Sequence, residues 1–398
     1  MRYGDSYGPF SDYSAPFWES IDVSAISDEH VVSKLHLLDN LEVSSPYRGT
    51  SVPVWRRIWK SLDCLDHFSD VPQEWKHAAL FLFANTVYLP QVLLNDAWRA
   101  LYLELCEREL GCDSVGARQR ILDSIHIFEN DPSAMTGTFC HVNGLEGRLD
   151  NQRLQRVEGV DKLADVLLDL LNPAKRDRAR AMLVPLFAKP YWVILVDKSL
   201  SGHSLETDLR RLAIARSIAE KVGFKPPKVV VLCQVLTSKA VDAIQAIVQD
   251  LPAGALAWYC AVLFDDRHSI THPDSTLIAD VAIRESALEL CHWFSARFIK
   301  SDSRLARMRD RSGDDLEFGY RACGLTLVDY SNCPTDSLPI FWYATEPTAE
   351  DIYVGPYVRV HSRIGNQSAE PSSNKWIDLE SNQDIVDALR DSAQGGAS

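Results

Sequence analysis

Apolar residues in the first third of the chain follow a spacing that predicts helices. Four of them occupy the i, i+3, i+4 and i+7 positions of one helix face: Trp55, Ile58, Trp59 and Leu62. The stripes continue from Trp75 to Leu110, and the segment AALFLFANTVYLP is apolar nearly all round, which is typical of a helix packed between other helices. We therefore predict a helical module over residues 46–130.

From about residue 160 onward, β-branched apolar runs alternate with helical patterns. We predict helices over 160–172, 204–222, 238–250 and 275–300, and strands over 191–197, 228–236, 255–264 and 323–330. Uninterrupted apolar strands such as VVVLCQVL are typical of a parallel sheet that is covered on both faces. The predicted fold class is therefore α/β, with a three-layer parallel-sheet domain over residues 131–363 that follows the N-terminal helical module.

The two ends of the chain have little periodicity. Residues 1–45 form an aromatic-rich N-terminal arm whose rings could dock on the protein's own surface or on a partner. Residues 364–398 are predicted to be a flexible C-terminal tail, with a short helical pattern from Ile385 to Leu389. No apolar stretch approaches the roughly 20 residues of a membrane span, and the N-terminus lacks the features of a secretory signal. We expect a cytoplasmic protein with no membrane partner.

The formal charge of −14 argues against general coating of nucleic acid by the whole surface. Two local basic clusters leave a nucleic-acid partner open: Lys175, Arg176, Arg178 and Arg180, and then Arg304, Arg307, Arg309 and Arg311. Solvated helix faces are the favoured interpretation of both clusters. The nine cysteines include no C-x-x-C pair, so we predict neither a thiolate zinc site nor a thiol nucleophile.

The segment WVILVDKSLSGHS, which starts at Trp192, is a candidate ligand site because ligands bind at the carboxyl ends of parallel strands. Its polar residues are Asp197, Lys198, Ser199, Ser201, Gly202, His203 and Ser204. Glycine lets the backbone approach a phosphate closely, and the start of the next helix favours an anion. Asp197 would face ribose hydroxyls or a Mg²⁺ ion that bridges them.

The same segment has a purely structural interpretation. Glu206 and Asp208 in the first helical turn would neutralise the positive end of the helix dipole. A tight turn capped by Ser204, with three leucines buried beneath it (Leu205, Leu209 and Leu212), would then explain the segment without a ligand. The loop alone favours this structural interpretation.

A second candidate site follows the strand at 255–264. Asp265, Asp266, His268 and His272 could hold a divalent metal, although a surface loop is the favoured interpretation. His268 is the candidate general base if the protein is an enzyme. The sequence contains neither G-x-x-x-x-G-K-S/T nor G-x-G-x-x-G, so neither a P-loop nor a dinucleotide fingerprint is supported.

The loop resembles the diphosphosugar-binding signature of type I phosphoribosyltransferases, in which two acids, two apolar residues and two hydroxyl residues precede glycine, any residue and threonine. In this alignment Asp197 is the second acid, Ser201 the second hydroxyl residue, Gly202 the glycine and Ser204 the threonine. Val196 and Leu200 replace the first acid and the first hydroxyl residue. These departures fall where a metal and the sugar hydroxyls would be held.

The segment GYRACGLTLVDYSNCPTDSLPIFW (residues 319–342), followed by YVGPYVRV, resembles the C-terminal signature of a phosphoribosyltransferase-like subfamily found in bacterial conflict systems. The matching residues are Asn332, Pro334, Pro339, Ile340, Trp342, Pro356 and Arg359. Thr335 and Asp336 replace paired asparagines, and Tyr357 replaces leucine. The tryptophan-rich helical module is also similar, so the resemblance spans roughly residues 50–362. As a purely architectural element, the same segment is a turn at Asn332 and Pro334, an edge strand starting at Pro339, and aromatic rings in the core.

The resemblance implies a phosphoribosyltransferase-like domain in an anti-phage defence system, in some cases one built around a retron. It implies a phosphoribosyl diphosphate or nucleotide ligand, a protein partner, and an effector or sensor role, with Mg²⁺ as cofactor if the protein is active. Asp197 and His268 are the candidate catalytic residues, with Asp197 also the metal ligand. The ligand-binding candidates are Lys198, Ser199, Ser201, Gly202, His203, Ser204, Asn332 and Trp342. The departures predict weak or absent transferase activity.

Two alternatives stay open. The fold could serve as a non-catalytic scaffold, with the arm and the arginine clusters docking a partner protein or nucleic acid. The same pocket could instead cleave nucleosides or nucleotides with water as acceptor.

Overall fold

The computed structural model describes residues 29–50, 52–112, 121, 124–129, 135–145, 159–346, 349, 351–358, 379 and 383–395. The aromatic positions predicted to dock, between residues 3 and 18, lie outside the described residues, as does Arg359. The chain forms two compact units, Val92–Asp266 with Gly365–Ser398 (the sheet unit) and Met1–Gln91 with Arg267–Ile364 (the helical unit). This division differs from the predicted boundaries, because the 46–130 segment contributes to both units.

The sheet unit contains four parallel strands in the order β2-β3-β4-β5. The strands are β2 (Ile125–Glu129), β3 (Tyr191–Ser199), β4 (Lys228–Thr237) and β5 (Leu256–Phe264). Its helices are α4 (Gln91–Glu104), α5 (Met135–Val142), α6 (Val160–Asp169), α7 (Arg176–Phe187), α8 (His203–Val222), α9 (Ser238–Asp250) and α13 (Gln383–Gly395).

Helices cover both faces of this sheet, which confirms the predicted three-layer α/β class. Along β3, Trp192 and Ile194 pack in one apolar core with residues of α6 to α9 and α13. Val193 and Leu195 point to the opposite face and pack with residues of α4 and α5. Both sets of side chains are fully buried, which is why the strand is continuously apolar.

Two elements of the sheet unit differ from the pattern-based expectation. Strand β2 lies within the segment predicted as helical, and it pairs in parallel with β3 from Ile125↔Tyr191 to Glu129↔Leu195. At the other end of the chain, α13 extends well beyond the short helical pattern of the predicted tail. Ile385 and Leu389 are fully buried in the core that also contains α8, because their spacing of four residues places them on one helix face.

The helical unit contains six α-helices within the described residues, together with a two-stranded parallel sheet of β1 (Val87–Leu89) and β6 (Leu327–Asp329). The helices are α1 (Glu29–Ser44), α2 (Val54–Asp66), α3 (Gln73–Ala84), α10 (Val281–Phe294), α11 (Ala306–Ser312) and α12 (Pro339–Trp342). Helix α3 packs against α10, and the apolar AALFLF segment of α3 is almost wholly buried, as predicted.

Two expectations for the C-terminal segment were wrong. The strand predicted over 323–330 is only three residues long and pairs with β1 instead of joining the four-stranded sheet. Pro339 starts the short helix α12 instead of an edge strand, because proline at a first helical position loses no hydrogen bond there. Within the described residues, no helix has the length and apolarity that a bilayer crossing requires.

Candidate functional site: the loop between β3 and α8

Strand β3 delivers the candidate loop to the carboxyl edge of the four-stranded sheet. Asp197, Lys198 and Ser199 end the strand, and the 20-residue helix α8 begins at His203. Ser199 and Leu200 are buried, Ser201 and His203 are half-buried, and Ser204 is exposed. The sequence-predicted loop residues from Asp197 to Ser204 are therefore contiguous on one corner of the sheet, and several of them reach solvent.

The helix cap differs from the one expected for a structural turn. Gly202 occupies the N-cap position, and no side chain makes a capping hydrogen bond there. Ser204 is the second residue of α8 and is exposed instead of closing the helix end. Three leucines of α8 are buried beneath the loop, as predicted: Leu205, Leu209 and Leu212.

Gly202 is required by the conformation and packing of the loop itself. Its φ is +79°, in the left-handed region that glycine adopts without steric cost. A Cβ atom at this position would lie 2.9 Å from Cβ of Ala243 and 3.0 Å from Cα of Ala240, both on α9. The glycine in the signature therefore lets the loop approach α9 closely, whether or not a ligand binds.

Thr237, the last residue of β4, fixes the loop from the neighbouring strand. Its hydroxyl donates to the Leu200 carbonyl and accepts from the Ala240 amide, so it also caps α9. Sequence reasoning did not single out Thr237. A threonine between an apolar strand and a helical pattern is a recognisable capping signal that could have identified it.

Asp197 forms an ion pair with the residue that follows it. Its Oδ1 accepts from the Lys198 backbone amide at 2.6 Å, and its Oδ2 lies 2.7 Å from Lys198 Nζ. The Lys198 side chain is 14% exposed and that of Asp197 is 36% exposed, so the pair lies at the rim of the loop. Both carboxylate oxygens of the candidate metal ligand thus already have partners within the loop.

The two acids of the first turns of α8 also have basic partners. Glu206 pairs with Arg210 at 3.0 Å, and the buried Asp208 pairs with Arg211 at 3.3 Å. Their negative charges are therefore balanced by cations on the same helix. These paired acids therefore cancel less of the positive end of the helix than two unpaired carboxylates would.

A buried thiol lies beneath the loop on β4. Burial raises the pKa of Cys233 well above its usual value, and the neighbouring Cys260 and Asp197 raise it further. A thiol with such a pKa stays protonated at neutral pH and is a poor nucleophile.

The candidate residues of the second constellation divide between the two units. Asp265 and Asp266 follow β5 in the sheet unit, whereas His268 and His272 belong to the helical unit. The His272 Nδ1 accepts from the Asp274 amide at 3.1 Å. Across the described part of the chain, no group of three or more His, Cys, Asp or Glu residues is arranged to hold a metal ion.

The second signature segment is a turn held by Asp329, the last residue of β6. Its buried carboxylate accepts from the Ser331 amide at 2.7 Å, from the Ser331 hydroxyl at 2.6 Å and from the Asn332 amide at 2.9 Å. Asn332 is half-buried in this turn within the helical unit. Sequence reasoning attributed the turn to Asn332 and Pro334, although an aspartate two residues before an amide is the usual anchor of such a turn.

Trp342, proposed to shape the wall of a pocket, is fully buried in the helical unit. Its indole nitrogen donates to the Ser337 carbonyl at 2.8 Å, so the polar group of the side chain has a partner inside the core. These contacts favour the architectural interpretation of the segment.

Residues of both arginine clusters bind backbone carbonyl groups. Arg176 donates to the Leu170 carbonyl, and Arg180 donates to the Ala388 carbonyl of α13. In the second cluster, Arg304 pairs with Asp302, and Arg309 donates to the Ile299 and Asp302 carbonyls. These four side chains hold helix ends and connections together, which accounts for them without a nucleic-acid partner.

The donor set at Asp197 does not fit a Mg²⁺ ion. Magnesium prefers six oxygen ligands in octahedral geometry at about 2.0–2.1 Å. Here the candidate carboxylate is bound by an ammonium group and a backbone amide, both of which are donors.

The parallel three-layer α/β unit, with its loop and helix at the carboxyl edge of β3, is consistent with a phosphoribosyltransferase-like domain. The family model PRTase-CE matches residues 64–350, more than half of the chain, and the chain belongs to the PRTase-CE family. No curated protein and no solved structure matches it.

Proposed function

We propose that the protein binds a phosphoribosyl or nucleotide ligand at the loop from Asp197 to Ser204, as the effector or sensor subunit of a bacterial anti-phage defence system. Some such systems are built around a retron. The observation that carries the proposal is the position of this loop in a PRTase-CE chain: it joins β3 to the start of the long helix α8. Backbone amides at a helix start favour a phosphate group.

The proposed role is binding without ordinary transferase chemistry. Diphosphate departure from an anomeric carbon needs strong neutralisation of the leaving group. Val196 and Leu200 stand where the signature has an acid and a hydroxyl residue, and Asp197 is paired with Lys198. The remaining polar groups suit recognition of a phosphate better than expulsion of one.

A matched pair of serine substitutions on α8 tests ligand binding. Ser204→Asp places a negative charge at the exposed start of α8, whereas Ser217→Asp places one at a half-buried position near the other end of the helix. We expect Ser204→Asp to weaken the binding of 5-phosphoribosyl diphosphate, measured by calorimetry, by about 1–2 kcal/mol. Because an acid in the first turn stabilises a helix, the variant should remain folded. Equal affinities of the two variants would contradict the site.

The defence role has its own test, in cells. Phage plating on bacteria that express the chain with its neighbouring genes should show protection with the natural sequence and with Ser217→Asp. We expect Ser204→Asp to lose protection, because the proposed ligand would no longer bind. Undiminished protection by Ser204→Asp would show that any defence activity does not depend on this loop.

A further inference from the structure

The cation nearest the loop carboxylate is a side chain of the protein itself. Lys198 Nζ lies 2.7 Å from Asp197 Oδ2, and the Lys198 amide lies 2.6 Å from Asp197 Oδ1. The lysine side chain is only 14% exposed, so its ammonium group is held at the loop instead of extending into solvent. Both oxygens of the one carboxylate that the resemblance assigns to a metal are thus engaged.

A divalent cation that bound Asp197 would compete with this ammonium group for the carboxylate. It would then approach a positive charge held only a few ångströms away, which is unfavourable at short range in a partly buried site. Within the described residues no other acidic or imidazole groups assemble with Asp197 into a metal site. This ion pair disfavours an arrangement in which a carboxylate and a divalent ion share the loop.

We propose that Lys198 takes the place of the divalent cation, so that the loop binds the phosphate monoester of a ribose 5-phosphate or nucleoside monophosphate without metal. This inference rests on the proposed function for its ligand. Its ligand class follows from a charge count: a carboxylate with a divalent ion has a net charge of +1, whereas a carboxylate with an ammonium group is neutral. The neutral pair suits a monophosphate better than the more highly charged diphosphate sugar.

Direct metal binding tests the inference independently of any ligand. Mn²⁺ titration followed by electron paramagnetic resonance should detect no Asp197-dependent ion in the natural protein. Lys198→Met, which keeps an unbranched apolar stem and removes the charge, should gain a bound Mn²⁺ that is lost again when Asp197→Asn is added. Circular dichroism verifies the fold of each variant. An ion in the natural protein that Asp197→Asn removes, or no gain in Lys198→Met, would overturn the inference.

Ligand affinity provides the second measurement. Calorimetry with ribose 5-phosphate and with 5-phosphoribosyl diphosphate, each in MgCl₂ and in EDTA, should show equal affinities in the two buffers for the natural protein. Lys198→Met should become Mg²⁺-dependent, by about tenfold or more for the diphosphate. A tenfold gain from Mg²⁺ in the natural protein would refute the metal-free site. Absence of binding in every condition would count against the proposed function, while the Mn²⁺ titration would still decide the metal question.

Discussion

The two segments that resemble phosphoribosyltransferase signatures differ in what surrounds their polar groups. In the loop before α8, Ser201 and His203 are half-buried and Ser204 is exposed, so part of the loop is accessible to solvent. In the turn after β6, Asp329 is 1% exposed and its Oδ1 accepts three hydrogen bonds from the same turn. The first segment is partly accessible to solvent, whereas the second uses its polar groups to hold the chain.

A resemblance in sequence therefore combines two kinds of information. Some residues, such as Trp342 and Gly202, match a signature because the fold requires them at that position. Others, such as Ser204, match a signature at a position exposed to solvent. Burial and hydrogen-bond partners separate the two kinds, and this separation can be tested by substitution.

The largest expected effect is on protein stability, when the buried Trp342 of the second segment is replaced. Trp342→Ala removes a fully buried ring and the indole hydrogen bond to Ser337, so we expect a loss of about 3–5 kcal/mol in the free energy of unfolding. Urea denaturation measures this change. Trp192, which is also fully buried and donates to the Leu186 carbonyl, offers a matched control in the sheet unit. If Trp342→Ala stays stable but no longer binds ligand, the residue belongs to the site after all.

A smaller loss of stability is expected when the loop glycine, Gly202, is replaced. Gly223→Ala places alanine at φ +100°, where its Cβ has no neighbour within 4 Å. Backbone strain alone should lower the free energy of unfolding by about 1–2 kcal/mol. Gly202→Ala has a comparable backbone strain, and its Cβ would also lie too close to α9. We therefore expect it to lower the free energy of unfolding by about 1–3 kcal/mol more than Gly223→Ala does. The difference between the urea midpoints of the two variants measures the effect of the close contact with α9. Equal midpoints would mean that the loop does not depend on close approach to α9.

The smallest expected effect concerns Asp302, which accepts a hydrogen bond from the Tyr343 hydroxyl just after the second segment. Burial raises the pKa of Asp302, but hydrogen bonds from Arg304 and Tyr343 outweigh burial and leave this pKa below its usual value. A lowered carboxyl pKa contributes stability above the unfolded pKa of about 3.9, and this stability is lost as the pH falls through the folded pKa.

Asp302→Asn should therefore lower the free energy of unfolding by about 1 kcal/mol at pH 7, and by progressively less as the pH falls. Urea midpoints at pH 7 and at low pH measure the difference, with the exposed Asp310→Asn as control. A constant difference between natural protein and Asp302→Asn across this pH range would contradict the charged hydrogen bond.

Pattern reasoning worked best for the sheet unit. The predicted strands at 191–197, 228–236 and 255–264 lie within one or two residues of β3, β4 and β5, because each is an unbroken apolar run bounded by a helical pattern. It did not identify β2, whose short IHIFE run follows a long helical pattern. It also did not identify α13 as part of the core, since a short amphipathic segment does not reveal which surface it will cover.

The candidate site was predictable in position but not in chemistry. The alternation of strands and helices places Asp197 to Ser204 at the carboxyl edge of a parallel sheet. No spacing rule shows that Lys198 pairs with Asp197, or that Thr237 fixes the loop from the neighbouring strand. These contacts depend on side-chain directions at the ends of two different strands.

The sequence by itself determined the three-layer parallel architecture, because a period of two or 3.6 in apolar residues dictates which local structure can bury them. Only the tertiary structure decided that residues 29–91 pack with residues 267–358, that strand β6 pairs with β1, and that the loop carboxylate is neutralised by a lysine. The physical reason is that burial is non-directional: an apolar face specifies that it must be covered, but not which distant segment covers it.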